Sequence, residues 1–220
     1  MGSITAGESI VIPVTGGQIG ADLRLPERAT GLVIFAHGSG SSRFSSRNRA
    51  VAEFLEANRL GTLLLDLLTQ EEESVDVYTR EHRFDIDLLG RRVVLATDWA
   101  QGRAELRRLP VGYFGASTGA AAALIGAAAR PTVARAVVSR GGRPDLAGDA
   151  LPNVQAPTLL IVGGDDEPVI EMNRAAMKQM TAPVELEIVP GATHLFEEHG
   201  TLEQVMDLAS AWLRRHLESR

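Results

Sequence analysis

Apolar positions along this chain follow two rhythms. From Ser9 to Val14 and from Gln18 to Leu25, apolar and polar residues alternate around Thr15, Gly16 and Gly17. That alternation, broken by a glycine turn, predicts a β-hairpin. From Gly31 the rhythm changes. The run from Gly31 to His37 is apolar on both faces, and similar runs recur at Thr62–Leu68, Val111–Phe114, Ala134–Ser139, Thr158–Val162 and Val184–Val189. Runs of this kind suit parallel strands covered by helices on both sides.

Between the runs, apolar residues return at helical spacing. Ala50, Val51, Phe54 and Leu55 form one set; Phe84, Leu88, Leu95 and Trp99 form a longer one. Leu202, Val205, Met206, Ala209, Trp212 and Leu213 give an amphipathic helix near the C-terminus. Pro168 to Met180 opens with proline in its first turn, a favourable helix start. Ala120 to Ala129 is mostly small residues, as in a helix that lies close on a sheet.

Strand–helix alternation of this extent predicts an α/β fold. The expected form is a three-layer α/β/α sandwich with a mainly parallel eight-stranded sheet, residues 1–220 making one domain. The stretch from Arg140 to Pro157 is too short for an inserted cap domain. Gln70 to Arg83 is acidic and without periodicity. It reads as a solvated loop, with a lid over the site as the alternative.

Composition narrows the function. With 45% hydrophobic and 23% charged residues, the chain has enough apolar material for a large core. Its 22 basic residues are scattered and its net charge is −6, so no nucleic-acid footprint is expected. Cysteine is absent, which removes disulfides, thiolate metal sites and a cysteine nucleophile together. No signal peptide or membrane span is expected, and the default location is cytoplasmic. Met1-Gly2-Ser3 superficially matches a myristoylation start, but Ala6 stands where Ser or Thr is required. Oligomeric state is not legible.

The chemistry concentrates at Gly115-Ala116-Ser117-Thr118-Gly119, between a strand run and the alanine-rich helix. This is Gly-x-Ser-x-Gly in strand–turn–helix context, the requirement for a nucleophile elbow. In open α/β sheets ligands bind beyond the carboxyl ends of the strands. Asp165 and Asp166 follow the strand ending at Val162, and His194 follows the one ending at Val189. The order Ser, Asp, His is that of a hydrolase triad on such a sheet. Ser117 is the expected nucleophile, His194 its base, and Asp166 the carboxylate that orients the imidazole. Asp165 reads as a surface neighbour or helix cap, and Asp145 as a weaker alternative acid. The amides of Thr118 and Ser39 are the expected oxyanion donors. His37 reads as structural. Arg43 and Arg140 are candidate clamps for a substrate carboxylate or phosphate; the competing reading pairs such arginines with Glu71–Glu73.

Taken together, the Gly-x-Ser-x-Gly elbow, the Gly163–Asp166 turn, the Pro190–Phe196 stretch and the His37–Gly40 loop resemble the α/β-hydrolase superfamily. The nearer resemblance is to its compact dienelactone-hydrolase-like branch. It implies a capless hydrolase with an open site, using no metal or organic cofactor, acting on small esters or lactones. Dienelactone hydrolases proper use a cysteine nucleophile, so with Ser117 the dienelactone substrate does not carry over. The loop pattern is also similar to hydrolase modules joined to a phosphoribosyltransferase-like domain, which is not expected within these residues. Two alternatives keep the fold: an acyltransferase or perhydrolase using the same three residues, and a catalytically silent ligand-binding module.

Overall fold

The computed structural model describes residues 7–218; the Met1–Ala6 reading lies outside them. Its strands are β1 (Glu8–Val14), β2 (Gly17–Arg24), β3 (Gly31–Ala36), β4 (Leu60–Leu65), β5 (Val111–Ala116), β6 (Ala134–Arg140), β7 (Thr158–Gly163) and β8 (Val184–Val189). Its helices are α1 (Ser46–Ala57), α2 (Gln70–Thr79), α3 (Ile86–Gly102), α4 (Thr118–Ala129), α5 (Glu167–Met177) and α6 (Thr201–Leu217).

The eight strands form one sheet in the order β1-β2-β4-β3-β5-β6-β7-β8. The β1–β2 and β2–β4 pairs are antiparallel and every other pair is parallel. The chain therefore winds outward from β3 to β4, then returns to the far side of β3 for β5. The crevice at that reversal, between the ends of β3 and β5, is where a ligand is expected in such sheets.

Two apolar layers sandwich the sheet. On one face Val33, Phe35, Phe114 and Val138 pack with α1 and α6; on the other Ile34, Tyr113 and Val137 pack with α3, α4 and α5. Residues 31–36 and 111–116 are buried throughout, which explains why these strands read as unbroken apolar runs. In α4, nine of twelve residues are buried, and its alanines and glycines let its axis come close to β5. Glu185 and Glu187 stand on edge strand β8, where charge discourages pairing with another chain.

The segment 70–83 differs from the expected loop. Residues 70–79 form helix α2, and His82–Phe84 form a short 3-10 turn. Hydrophobic periodicity misses α2 because its one buried residue is Asp76. The helix is fixed by polar means. Thr69 Oγ1 accepts from the Glu72 amide at 3.1 Å, and the Glu72 carboxylate accepts from the Thr69 amide at 2.7 Å. This reciprocal cap satisfies two helix-terminal donors. Residues 144–153 are 3-10 turns kinked at Gly148, not an inserted cap. Among the described residues no helix is long and apolar enough to cross a membrane.

Candidate active site

The elbow is shaped by close contact. A Cβ on Gly115 would overlap the backbone of Ala120, and one on Gly119 would overlap the Ala36 carbonyl. Only glycine lets the turn after β5 sit directly on the end of β3. Ser117 itself has φ 51° and ψ −123°, a strained conformation for a residue with a Cβ, costing on the order of 1–3 kcal/mol. Its backbone is held there from three sides. The Ser117 amide donates to the Arg140 carbonyl at 3.2 Å, and its carbonyl accepts from Ala120 and Arg143, both at 3.1 Å.

Two other strand ends bring their residues to this serine. A turn closed by the Asp166 amide on the Gly163 carbonyl follows β7 and presents Asp166. The loop after β8 presents His194. Its Nδ1–H donates to Asp166 Oδ2 at 2.7 Å, and Nε2 faces Ser117 Oγ at 3.4 Å. With Nδ1 carrying the proton for Asp166, Nε2 is left as the acceptor toward the hydroxyl. The Asp166 side chain is mostly shielded and the imidazole part-exposed. Asp166 stands at the N-cap of α5 yet makes no capping bond; its carboxylate is turned to the histidine instead. The other two acids are placed elsewhere. Asp165 is exposed, and Asp145 is paired through two bonds to Arg143, at 2.9 and 2.8 Å, which also holds the Arg143 guanidinium pKa up.

The loop after β3 crosses the elbow so closely that a Cβ on Gly38 would lie 3.1 Å from Ser117 Cβ. His37 anchors this loop. Its Nδ1–H donates to the Gly38 carbonyl at 2.8 Å, and Nε2 accepts from the Leu67 amide at 3.1 Å. Burial pushes its pKa down, against smaller opposing effects from Gly38 and Asp66. With both ring nitrogens committed, His37 is structural.

Two of the expected roles fall on groups that are already engaged. The Ser39 amide is not an open donor: it donates to Thr118 Oγ1 at 2.9 Å, because the Thr118 side chain lies across the gap between the β3 loop and α4. The Thr118 amide is in the first turn of α4, where helix geometry leaves N–H groups without intrahelical partners. Arg43 is not a free clamp either. Its guanidinium is paired with Asp66 and Asp22 and lies 4.2 Å over the Phe44 ring. These partners are far away in sequence and are not the Glu71–Glu73 cluster, whose Glu72 instead meets Arg92. A cavity of about 460 Å³ beside Arg43, lined by Gln18, His37, Asp66 and Glu73 among others, includes none of Ser117, Asp166 and His194.

Arg140, by contrast, has no acidic partner among the described residues. It ends β6 directly beside Ala116 of β5, is 7% exposed, and donates from Nη2 to Asn48 Oδ1 at 3.3 Å.

A mainly parallel eight-stranded sheet between two helical layers, with Ser, Asp and His on three strand ends at one edge, defines an α/β hydrolase. Residues 68–215 match the Dienelactone hydrolase family, and the chain belongs to that family. A dienelactone hydrolase from Anabaena variabilis superposes with a TM-score of 0.94 at 56% identity, covering 96% of this chain and 98% of that one. Est1E from Butyrivibrio proteoclasticus superposes with a TM-score of 0.80 at 18% identity, covering 97% and 100%, a likeness of fold alone. A Mycobacterium tuberculosis protein (strain H37Rv), provisionally named a phosphoribosyl transferase, is 55% identical over 206 residues. That match covers 94% of this chain and 44% of the relative, so the chain spans less than half the length of the curated relatives it matches.

Proposed function

We propose that the protein is a serine hydrolase that cleaves small esters or lactones through an acyl-enzyme on Ser117. Ser117 Oγ attacks the carbonyl carbon while His194 Nε2 takes its proton. His194 returns that proton to the leaving oxygen, and water then repeats the cycle on the acyl-enzyme. Asp166 keeps Nδ1 protonated and stabilises the imidazolium. The Thr118 amide, and the Ser39 amide once Thr118 Oγ1 releases it, stabilise the oxyanion. The observation that carries this reading is the continuous Asp166–His194–Ser117 contact, at 2.7 and 3.4 Å, converging on a serine whose backbone is strained. Phosphoribosyl transfer is not proposed, because a serine–histidine–aspartate set supplies a nucleophile and a base for acyl chemistry.

The test is Ser117→Ala against p-nitrophenyl butyrate, with fluorophosphonate labelling of the unaltered protein. Turnover is expected to fall at least about 10³-fold, with the label on Ser117. Turnover unchanged in the variant, or a folded protein that takes no label, overturns the proposal.

A further inference from the structure

Among the described residues no carboxylate pairs with Arg140, and the charge beside it is that of Arg47. Ala136 and Val138 face α1 and α6, so two residues further along the strand the Arg140 side chain lies on the same face. There it meets the first turn of α1 through Asn48. A guanidinium carries five N–H donors, yet Nε and Nη1 of Arg140 are buried with no partner. Its pKa is lowered to about 10, first by burial and then by the neighbouring charge of Arg47. Arg47 has a buried, partnerless Nε of its own and reaches Glu197 through Nη1 at 3.0 Å. The first turn of α1 contains no acidic residue, and helix N-termini attract anions. Two arginines and a helix N-terminus thus converge with no carboxylate among the described residues paired to Arg140. Leaving a buried charge unpaired is strongly unfavourable, and an oxyanion would remove that cost.

We propose that Arg140, Arg47 and the first turn of α1 form an oxyanion-binding site beside the nucleophile, taking a carboxylate or phosphate group. At its outer edge stands the Arg47–Glu197 ion pair, whose side chains are 33% and 63% exposed; Glu197 gives up Arg47 to the incoming anion. Glu197 lies three residues after His194 on the same loop, so occupancy bears on the loop that carries the base. Two sources share the chemistry: a free inorganic anion, or an anionic group on the substrate. The second source rests on the hydrolase reading above; the first does not.

Thermal unfolding tests the site without any need for turnover. The full chain is titrated with inorganic phosphate and, separately, with succinate, at constant ionic strength. Tm is expected to rise by about 5 °C or more at a hundredfold excess over Kd. Arg140→Met should start above the unaltered protein in anion-free buffer, since the uncompensated charge is gone, and should not respond to either anion. Arg47→Gln, which leaves β6 untouched, should need roughly tenfold more anion for the same shift, a loss of about 1.4 kcal/mol. No response in the unaltered protein overturns the proposal, as does an equal response in Arg140→Met or a starting Tm for that variant below the unaltered protein. Kinetics on the unaltered protein then separate the sources. A tenfold or greater preference in kcat/KM for mono-p-nitrophenyl succinate over p-nitrophenyl butyrate assigns the anion to the substrate. A thermal response to phosphate with no such preference assigns the site to a free anion. A protein that responds to anion yet hydrolyses neither ester keeps the site and loses the hydrolase reading.

Discussion

Helices α2 and α4 leave adjacent regions of the same sheet edge and are held by opposite means. Helix α4 has no side-chain cap and buries nine of its twelve residues. Helix α2 has a complete capping box and buries one residue, a charged one. Burying alanine and glycine against a sheet is insensitive to salt and pH, and it tolerates no added volume. Caps and ion pairs tolerate volume at the surface but depend on protonation and ionic strength. Ser117 is therefore mounted on the one of the two regions that conditions change less. The segment that borders the β3 loop, where Arg83 lies against Gly40, is on the one they change more.

Gly119→Ala probes the packed side of that contrast and should have the largest effect. The new methyl would overlap the Ala36 carbonyl, a backbone atom that cannot turn away. A loss of more than about 3 kcal/mol is expected in urea unfolding, above the usual cost of overpacking. Near-unaltered stability would show that the elbow can yield.

Asp76→Ala should come next. Asp76 accepts from the Arg83 amide at 3.0 Å and pairs with its guanidinium, while Arg83 also donates to the Asp76 carbonyl at 3.0 Å. Its removal is expected to cost about 2 kcal/mol, a buried pair discounted for Arg83's partial exposure. The loss should be local, seen as faster amide exchange over residues 70–84 with α4 unchanged. The same pair gives the region a pH dependence. Burial alone would raise the Asp76 pKa, but the hydrogen bonds and charge of Arg83 outweigh it and hold the pKa down. The stabilisation is thus full above the unfolded carboxyl pKa, near pH 4, and is lost as pH falls through the lower folded value. Amide exchange should loosen α2 below about pH 4 before α4; simultaneous loosening would erase the contrast.

The smallest effect is expected from Thr69→Ala, which removes one half of the capping box. About 1 kcal/mol is expected, again confined to α2.

The same contrast decides what could be read from the chain. The strands β3 and β5, the elbow, Asp166 and His194 were legible because apolar runs locate strand ends, and strand ends locate ligands. Helix α2 was not, because hydrophobic periodicity has nothing to report when the buried residue is Asp76. The signal that would have found it was present: Thr69 followed three residues later by Glu72. The partners of Arg43 could not be read, since Asp22 and Asp66 meet it only after β2 and β4 are assembled. Nor could the Thr118 hydroxyl on the Ser39 amide, which depends on how closely the β3 loop approaches α4.

That last contact carries a consequence for selectivity between states of one molecule. In the proposed reaction, the Ser39 amide is never bare: a reactant's oxygen must outcompete a hydroxyl already seated on it. A neutral ester carbonyl is an acceptor of similar strength and gains little by the exchange. A full negative charge on that oxygen makes the bond roughly twice as strong, and the exchange becomes favourable. The threonine thus works as a threshold, holding the donor back from the bound ester and yielding it as the tetrahedral species forms, so that binding energy is expressed at the barrier and not before it.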